Sequence, residues 1–313
     1  MRFRSTIVAA TAVALAAAGG TAVADDDRGD RDDGDRYSQD YDFATIKDGT
    51  KLVVFDDDSA KSYSIRGLLP GETVVGLDVR PTDANNNGFD DMGELYGIGK
   101  VGTTGYVFEI EINGGRAEVD DRRTLVQDPA MTGAGGPFAG LRGDFFGVDF
   151  NPSVDRLRVT SDQEQNLRIN VDTGNTIQDA NLAYPAGDRR NTQMPTPNVI
   201  DPSVVGAGYT FAPLMGPTTL YDVDTANPDF FVLQNPPNGG ALQSIGPIGV
   251  DAGGKVGFDI AGKETFQAFE LAQVGDRAKL YVLRFDRNGR ASDTGISLKG
   301  DYDGLAVLDG YRR

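Results

Sequence analysis

From Tyr41 onward apolar and polar residues alternate in short runs rich in Val, Ile, Phe and Tyr, and Gly, Asn, Asp or Pro separate one run from the next. Alternation with a period of two, bounded by turn formers, predicts strands. No stretch carries a helical period of ordinary length. The runs also repeat. One recurring strand has the pattern Gly-x-Asp among apolar residues: VVGLDV at 74–79, FFGVDF at 145–150 and VGFDI at 256–260, with weaker copies VVGAGY at 204–209 and DGLAV at 303–307. A hairpin closing on a turn-forming Asp or Asn recurs as well, ending at Asp56, Asn113, Asp172, Asn235 and Asp286. Asp56 and Asp286 are 230 residues apart over four steps, about 57 per repeat.

A period in the fifties, with four strands per unit and five units, predicts an all-β fold, a five-bladed β-propeller. The chain opens on a hairpin without a Gly-x-Asp strand and finishes on such a strand without a hairpin. The strand at 303–308 is therefore expected to close the first blade, which removes exposed sheet edges. A β-sandwich with a second domain is the structural alternative. Within the repeat, Asn151-Pro152 is expected to turn the chain out of the Asp149 strand, with LRVTS and LRINV as the following hairpin. The alternation of Arg156, Arg158 and Arg168 with apolar residues predicts solvated faces of the middle strands.

The N-terminus sets an expected compartment. Arg2 and Arg4 precede an apolar stretch from Ile7 to Ala18, and Ala22-Val23-Ala24 offers small residues for cleavage. That order predicts a secretory signal peptide over 1–24 and an exported, extracellular protein with no membrane insertion. Residues 25–40, DDDRGDRDDGDRYSQD, hold almost no apolar side chains and predict a disordered acidic tether. Residues 41–313 are then expected to form one propeller domain.

Composition narrows the chemistry. The chain has neither His nor Cys, which excludes Ser-His-Asp and Cys-His catalysis, His- or thiolate-ligated zinc and disulfides. Chemistry must rest on carboxylates, Lys, Tyr or a hard cation. Without Arg2 and Arg4 the expected mature chain carries 28 basic against 47 acidic residues, a charge of −19. Such a surface repels nucleic acid and anionic lipid and favours divalent cations.

The stretches NPSVDRLRVTSDQEQNLRINVDTG (151–174), FVLQNPPNGG (231–240) and LPGETVVGLDVRP (69–81) resemble the bacterial exported proteins of the domain-of-unknown-function 4394 family. The resemblance spans nearly the whole chain after residue 40. It implies a secreted, propeller-like domain and supplies no catalytic residues. One departure stands out: where the family pattern implies a short turn between Pro81 and Glu94, this chain carries an insertion.

That insertion, DANNNGFDDMGE at 83–94, fits the D-x-[DN]-x-[DN]-G-x5-E calcium loop at every specified position. Asp83, Asn85 and Asn87 offer side-chain oxygens, Gly88 the sharp turn, Phe89 a backbone carbonyl, Asp91 a further polar ligand and Glu94 a bidentate carboxylate. The loop predicts a calcium site that orders it. Its flanks are predicted strands, Asp90 stands where an apolar residue usually packs, and an Asn/Gly-rich solvent loop is the plainer alternative.

Asp78, Asp149 and Asp259 occupy equivalent inner-strand positions, and propeller geometry would gather them near the central channel. There they could raise one another's proton affinity, hold a cation, or satisfy the backbone of the neighbouring blade. Two longer connections, 127–140 and 184–203, could carry binding, with Arg189 and Arg190 as the clearest candidates for an anionic ligand. The reading that follows is a non-enzymatic binding or surface-interaction module, calcium-ordered, for an extracellular ligand or protein. The alternative is a glycosidase-like hydrolase using two channel carboxylates, disfavoured because the chain has no Trp on which a sugar could stack. A channel cation acting as a Lewis acid is a third reading.

Overall fold

The computed structural model describes residues 41–82, 91–113, 115–192, 200–210, 217–262 and 266–308. The expected signal peptide and tether lie outside them, as does most of the 83–94 insertion. The described residues form an all-β structure. They include 21 strands, one four-residue helical turn at Arg189–Thr192 and two single 3-10 turns. No helix among them is long and apolar enough to cross a membrane.

The strands fall into five antiparallel runs of four. The first contains β1 (Phe43–Lys47), β2 (Lys51–Phe55) and β3 (Ala60–Arg66). The second holds β4 (Thr73–Thr82), β5 (Asp91–Val101), β6 (Thr104–Asn113) and β7 (Arg116–Thr124). The short β8 (Val126–Gln127) follows. The third run is β9 (Phe146–Asn151), β10 (Arg156–Ser161), β11 (Asn166–Ile169) and β12 (Asn175–Gln178). The fourth is β13 (Val204–Tyr209), β14 (Leu220–Asp224), β15 (Phe230–Gln234) and β16 (Leu242–Pro247). The fifth is β17 (Val256–Ala261), β18 (Gln267–Val274), β19 (Arg277–Arg284) and β20 (Arg290–Lys299). The last strand, β21 (Tyr302–Val307), returns to pair antiparallel with β1, Phe43 facing Val307. It thereby supplies the fourth strand of the first run. A two-residue parallel pairing of β3 with β7 joins the first and second runs into one eight-stranded sheet, and β8 adds to the outer edge of β12.

The leading strands touch in sequence: β4 packs on β9, β9 on β13, β13 on β17, β17 on β21 and β21 on β4. The recurring glycine explains how they approach so closely. A Cβ on Gly76 would lie 2.3 Å from Val148 Cγ2, and one on Gly257 the same distance from the Gly304 carbonyl carbon. Only a residue without a side chain fits where one backbone lies against the next. The turn at Asn151 matches its sequence expectation, since the Asp155 N–H donates to the Asn151 carbonyl at 3.0 Å and Asp155 takes a left-handed φ of 49°. The hairpin of β10 and β11 forms as expected, with Leu157 facing Ile169.

Apolar side chains seal four of the five junctions between runs. Leu52 and Ile46 meet Leu77 and Phe108 between the first and second. Ile98 and Val107 meet Val148 and Leu157 between the second and third. Val223 and Phe231 meet Phe258 and Ile260 between the fourth and fifth, and Phe269 and Leu280 meet Phe43 and Phe55 between the fifth and first. The junction of third and fourth runs differs. Its apolar content among the described residues is split between a small cluster of Ala207, Tyr209 and Leu220 and one in which Leu182 and Tyr184 of the connection pack on Val204, Phe230, Val232 and Leu242, and a buried polar network joins the third run to the fourth.

Candidate functional site

The three recurring aspartates do converge. Asp78, Asp149 and Asp259 are all buried, and each offers a carboxylate oxygen within 4.8 Å of the others. Each also reaches across to the next leading strand. Asp78 accepts the N–H of Phe150 at 2.6 Å, Asp149 that of Tyr209 at 3.0 Å, and Asp259 that of Val307 at 2.7 Å. The carboxylates are clasps between runs, each satisfying a buried backbone donor that would otherwise be orphaned. The last clasp ties the final strand to the fifth run. At the equivalent positions of β13 and β21 stand Gly208 and Ala306, so two junctions lack the clasp. The three hard oxygen donors could hold a metal ion.

Burial, and then the charge of Asp259, holds the Asp78 carboxyl well above the usual range; burial, then Asp78, does the same to Asp149. Burial raises Asp259 to about 6 against the opposing N–H groups of Val307 and Ile260. Burial also pushes Glu270 up to about 8 and Asp229 to about 6. Each group binds its proton more tightly folded than in the unfolded chain, where a carboxyl titrates near about 4. Their contribution to stability is therefore complete at acid pH and is lost as pH rises through the folded values. In chelator, the melting midpoint is expected to be several degrees higher at pH 5.5 than at pH 8.5; an equal or higher midpoint at pH 8.5 would contradict this assignment.

The polar junction between third and fourth runs is built around Arg158, which is only 2% exposed. Its Nε donates to the Tyr209 hydroxyl at 3.2 Å, its Nη1 to Asn166 Oδ1 at 2.7 Å and Asp179 Oδ2 at 2.8 Å, and its Nη2 to Asn238 Oδ1 at 2.8 Å. Asp179 is shared with Arg168, which grips it in a fork through Nε at 2.7 Å and Nη2 at 2.8 Å. Asp222 lies buried in the same junction with neither carboxylate oxygen hydrogen-bonded, and burial holds its proton affinity well above the usual range despite the Arg158 charge. The expectation that Arg158 lies on a solvated face is thus corrected. β10 is the second strand of its run and has another run against each face, so alternation there does not mark an outside.

Above this network opens a cleft of about 410 Å³, lined by Asn151, Val154, Arg156, Arg158, Arg168, Tyr209 and the Pro236-Pro237-Asn238 turn. Most of these residues belong to the stretches 151–174 and 231–240, which are distant in sequence and meet here. A larger hollow of about 560 Å³ lies between the 56–60 turn and Thr294–Leu298. It sits at the outer rim, and the Asp56 carboxylate in it is already spent on the N–H groups of Asp58 and Ser59.

Of the expected calcium ligands, Asp83, Asn85, Asn87 and Phe89 lie outside the described residues, and Asp91 is described only as the first residue of β5, facing Thr82. Glu94 is exposed and accepts the Tyr96 hydroxyl at 3.2 Å. The flanks are strands, as expected. Arg190 is not available to a ligand: it is buried, pairs with Asp224, and donates to the Pro228 carbonyl at 2.9 Å. It pins the 184–192 connection onto the fourth run. The 127–140 connection is anchored by Gln178 Nε2, which donates to the Gly135 carbonyl at 2.8 Å, and leaves Met131 exposed.

Solved structures similar to this chain include the major allergen Mala s 1 of Malassezia sympodialis, at 11% identity over 88% of this chain and 92% of that one, with a TM-score of 0.42. A protein of unknown function from Bacteroides caccae is 9% identical over 86% and 99%, TM-score 0.42. The periplasmic gluconolactonase PpgL of Pseudomonas aeruginosa is 12% identical over 86% and 99%, TM-score 0.35. No curated protein matches the sequence. The family model described as Domain of unknown function (DUF4394) matches residues 51–306, and the chain belongs to that family.

Proposed function

We propose that the chain is an exported five-bladed β-propeller whose role is to bind, without catalysis, an extracellular ligand in the cleft between its third and fourth blades. The blade count rests on the five runs of four strands and on the cycle of contacts among the leading strands, with β21 completing the first blade. Export rests on the basic, apolar and small-residue order of residues 1–24. The observation that carries binding is the convergence of stretches 151–168 and 236–238 on one cleft above the buried Arg158 network. Burying charge costs stability relative to an apolar seal, so a polar junction under an open cleft suits recognition better than it suits holding a fold together.

The second reading, a carboxylate hydrolase at the channel, draws on the proton-holding aspartate cluster, since a general acid needs a raised proton affinity. Against it, all three carboxylates are committed to backbone N–H groups of neighbouring strands. Incubation with chromogenic glycosides and esters is expected to give no turnover, while a thermal-shift survey of the same compounds gives binders. Turnover abolished by Asp149→Asn would overturn the non-enzymatic reading.

Calcium belongs to this proposal as a cation that orders the 83–94 connection through Asp83, Asn85, Asn87, Phe89, Asp91 and Glu94. Millimolar calcium is expected to raise the melting midpoint over excess chelator, reflecting a stabilisation of about 2.7 kcal/mol at a hundredfold excess over Kd, and Glu94→Gln is expected to abolish the rise. Coincident midpoints would remove the site. A rise kept in Glu94→Gln and lost in Asp149→Asn would instead move the cation to the aspartate cluster.

A further inference from the structure

We infer that the cleft takes a small organic carboxylate whose charge is held by Arg168 and Arg156 and whose body lies against Val154, Pro236, Pro237 and the Tyr209 ring. This rests on the binding reading above and names its ligand. The charged residues lining the cleft are three arginines and no acid, in a chain whose formal charge is −17. Asp179 neutralises one of the two guanidiniums it touches, so the pair Arg158 and Arg168 keeps a net positive charge. Arg156 adds another, its Nη1 spent only on the Asp155 carbonyl at 2.6 Å.

The unspent donors sit on the accessible member of the pair. Arg158 is buried with four of its five N–H groups engaged. Arg168 is 24% exposed and commits two N–H groups to Asp179, which leaves its Nη1 edge for a ligand. A guanidinium fixed by a carboxylate on one edge presents the other as a rigid fork, the geometry that grips a planar carboxylate in two hydrogen bonds. The Asn238 amide nitrogen, whose oxygen is turned to Arg158, is a further donor at the mouth. The remaining lining is apolar and flat: Val154, 56% exposed, and the two prolines. The volume suits a ligand the size of one aromatic ring or one sugar. The nearest surface acids, Asp155 and Asp172, are both paired with Arg80, and charges more than about 8 Å away are largely screened at physiological salt.

The test is calorimetric titration of the mature chain with benzoate, phenylacetate and glucuronate, and with benzyl alcohol and inorganic phosphate as controls. At least one carboxylate is expected to bind saturably, with benzyl alcohol roughly tenfold weaker or worse. Arg168→Gln should weaken the carboxylate by a similar factor. Since that change also touches Asp179, Val154→Asp is the second variant; it sets a negative charge on the exposed rim, leaves the network intact, and should weaken the carboxylate while sparing the melting midpoint. Phosphate binding as tightly as the best carboxylate would reduce the cleft to a bare oxyanion site and overturn the proposal. So would benzyl alcohol matching benzoate with no effect of Val154→Asp, although the binding reading would stand. Failure of all three carboxylates at about 10 mM, a strength typical of no specific site, overturns the carboxylate, and only an empty thermal-shift survey as well would remove the binding reading.

Discussion

Arg158→Ala is expected to lower the melting midpoint by roughly 10 °C, the largest effect of any single change outside the apolar core. The side chain is 2% exposed and serves Tyr209, Asn166, Asp179 and Asn238 at once. Truncation leaves Asp179 with only Arg168 and strips partners from two buried acceptors. Removing one member of a buried pair costs about 3–5 kcal/mol, mostly as the penalty on the charge left behind. Adding Asp179→Asn removes that charge, so the double variant should recover part of the loss and the two changes should fail to add. A single-variant fall within about 2 °C of wild type, measured by scanning calorimetry, would show that the network contributes little to stability.

Asp149→Ala is the second large effect. It orphans the Tyr209 N–H inside the protein, at about 1–3 kcal/mol for the unsatisfied donor, and adds a small cavity. Asp149→Asn keeps an acceptor for that N–H and removes a carboxyl whose proton affinity burial, and then Asp78, raises well above the usual range. At pH 8, where the acid must either ionise in a buried site or bind its proton against the solvent, Asn is expected to equal or exceed wild type in urea unfolding, while Ala falls well below. If Asn is as damaging as Ala, the ionised carboxylate matters in its own right and a bound cation becomes the better explanation of the cluster.

The spacing of Gly76, Gly147 and Gly257 and of the three aspartates was legible because both follow from one constraint, the approach of each leading strand to the next. The return of the last strand was legible from the unmatched ends of the repeat, and β21 does pair with β1. The cleft was not. Arg158 reads as exterior, like the half-exposed Arg156 and Arg168, because strand alternation assumes one wet face, and stacking of runs removes that face for much of an inner strand. A signal was present nonetheless: Asn166, Asp179 and Tyr209 supply an acceptor for each buried guanidinium edge, and an Arg-rich strand followed by so many acceptors is poor surface design. Arg190 misled in the opposite direction, since a Pro-rich connection hid the buried Asp224 that claims it.

The central claim is that the residues of 151–168 and 236–238 form a ligand site and do more than join two runs of strands. Hydrogen exchange read by mass spectrometry, on the mature chain with and without saturating benzoate, addresses it most directly. The account expects slowed exchange confined to peptides covering 151–158, 166–169 and 234–240, with the aspartate clasps at Phe150, Tyr209 and Val307 already slow in both states. Unchanged exchange over those three segments, or slowing that maps to another face, would contradict it.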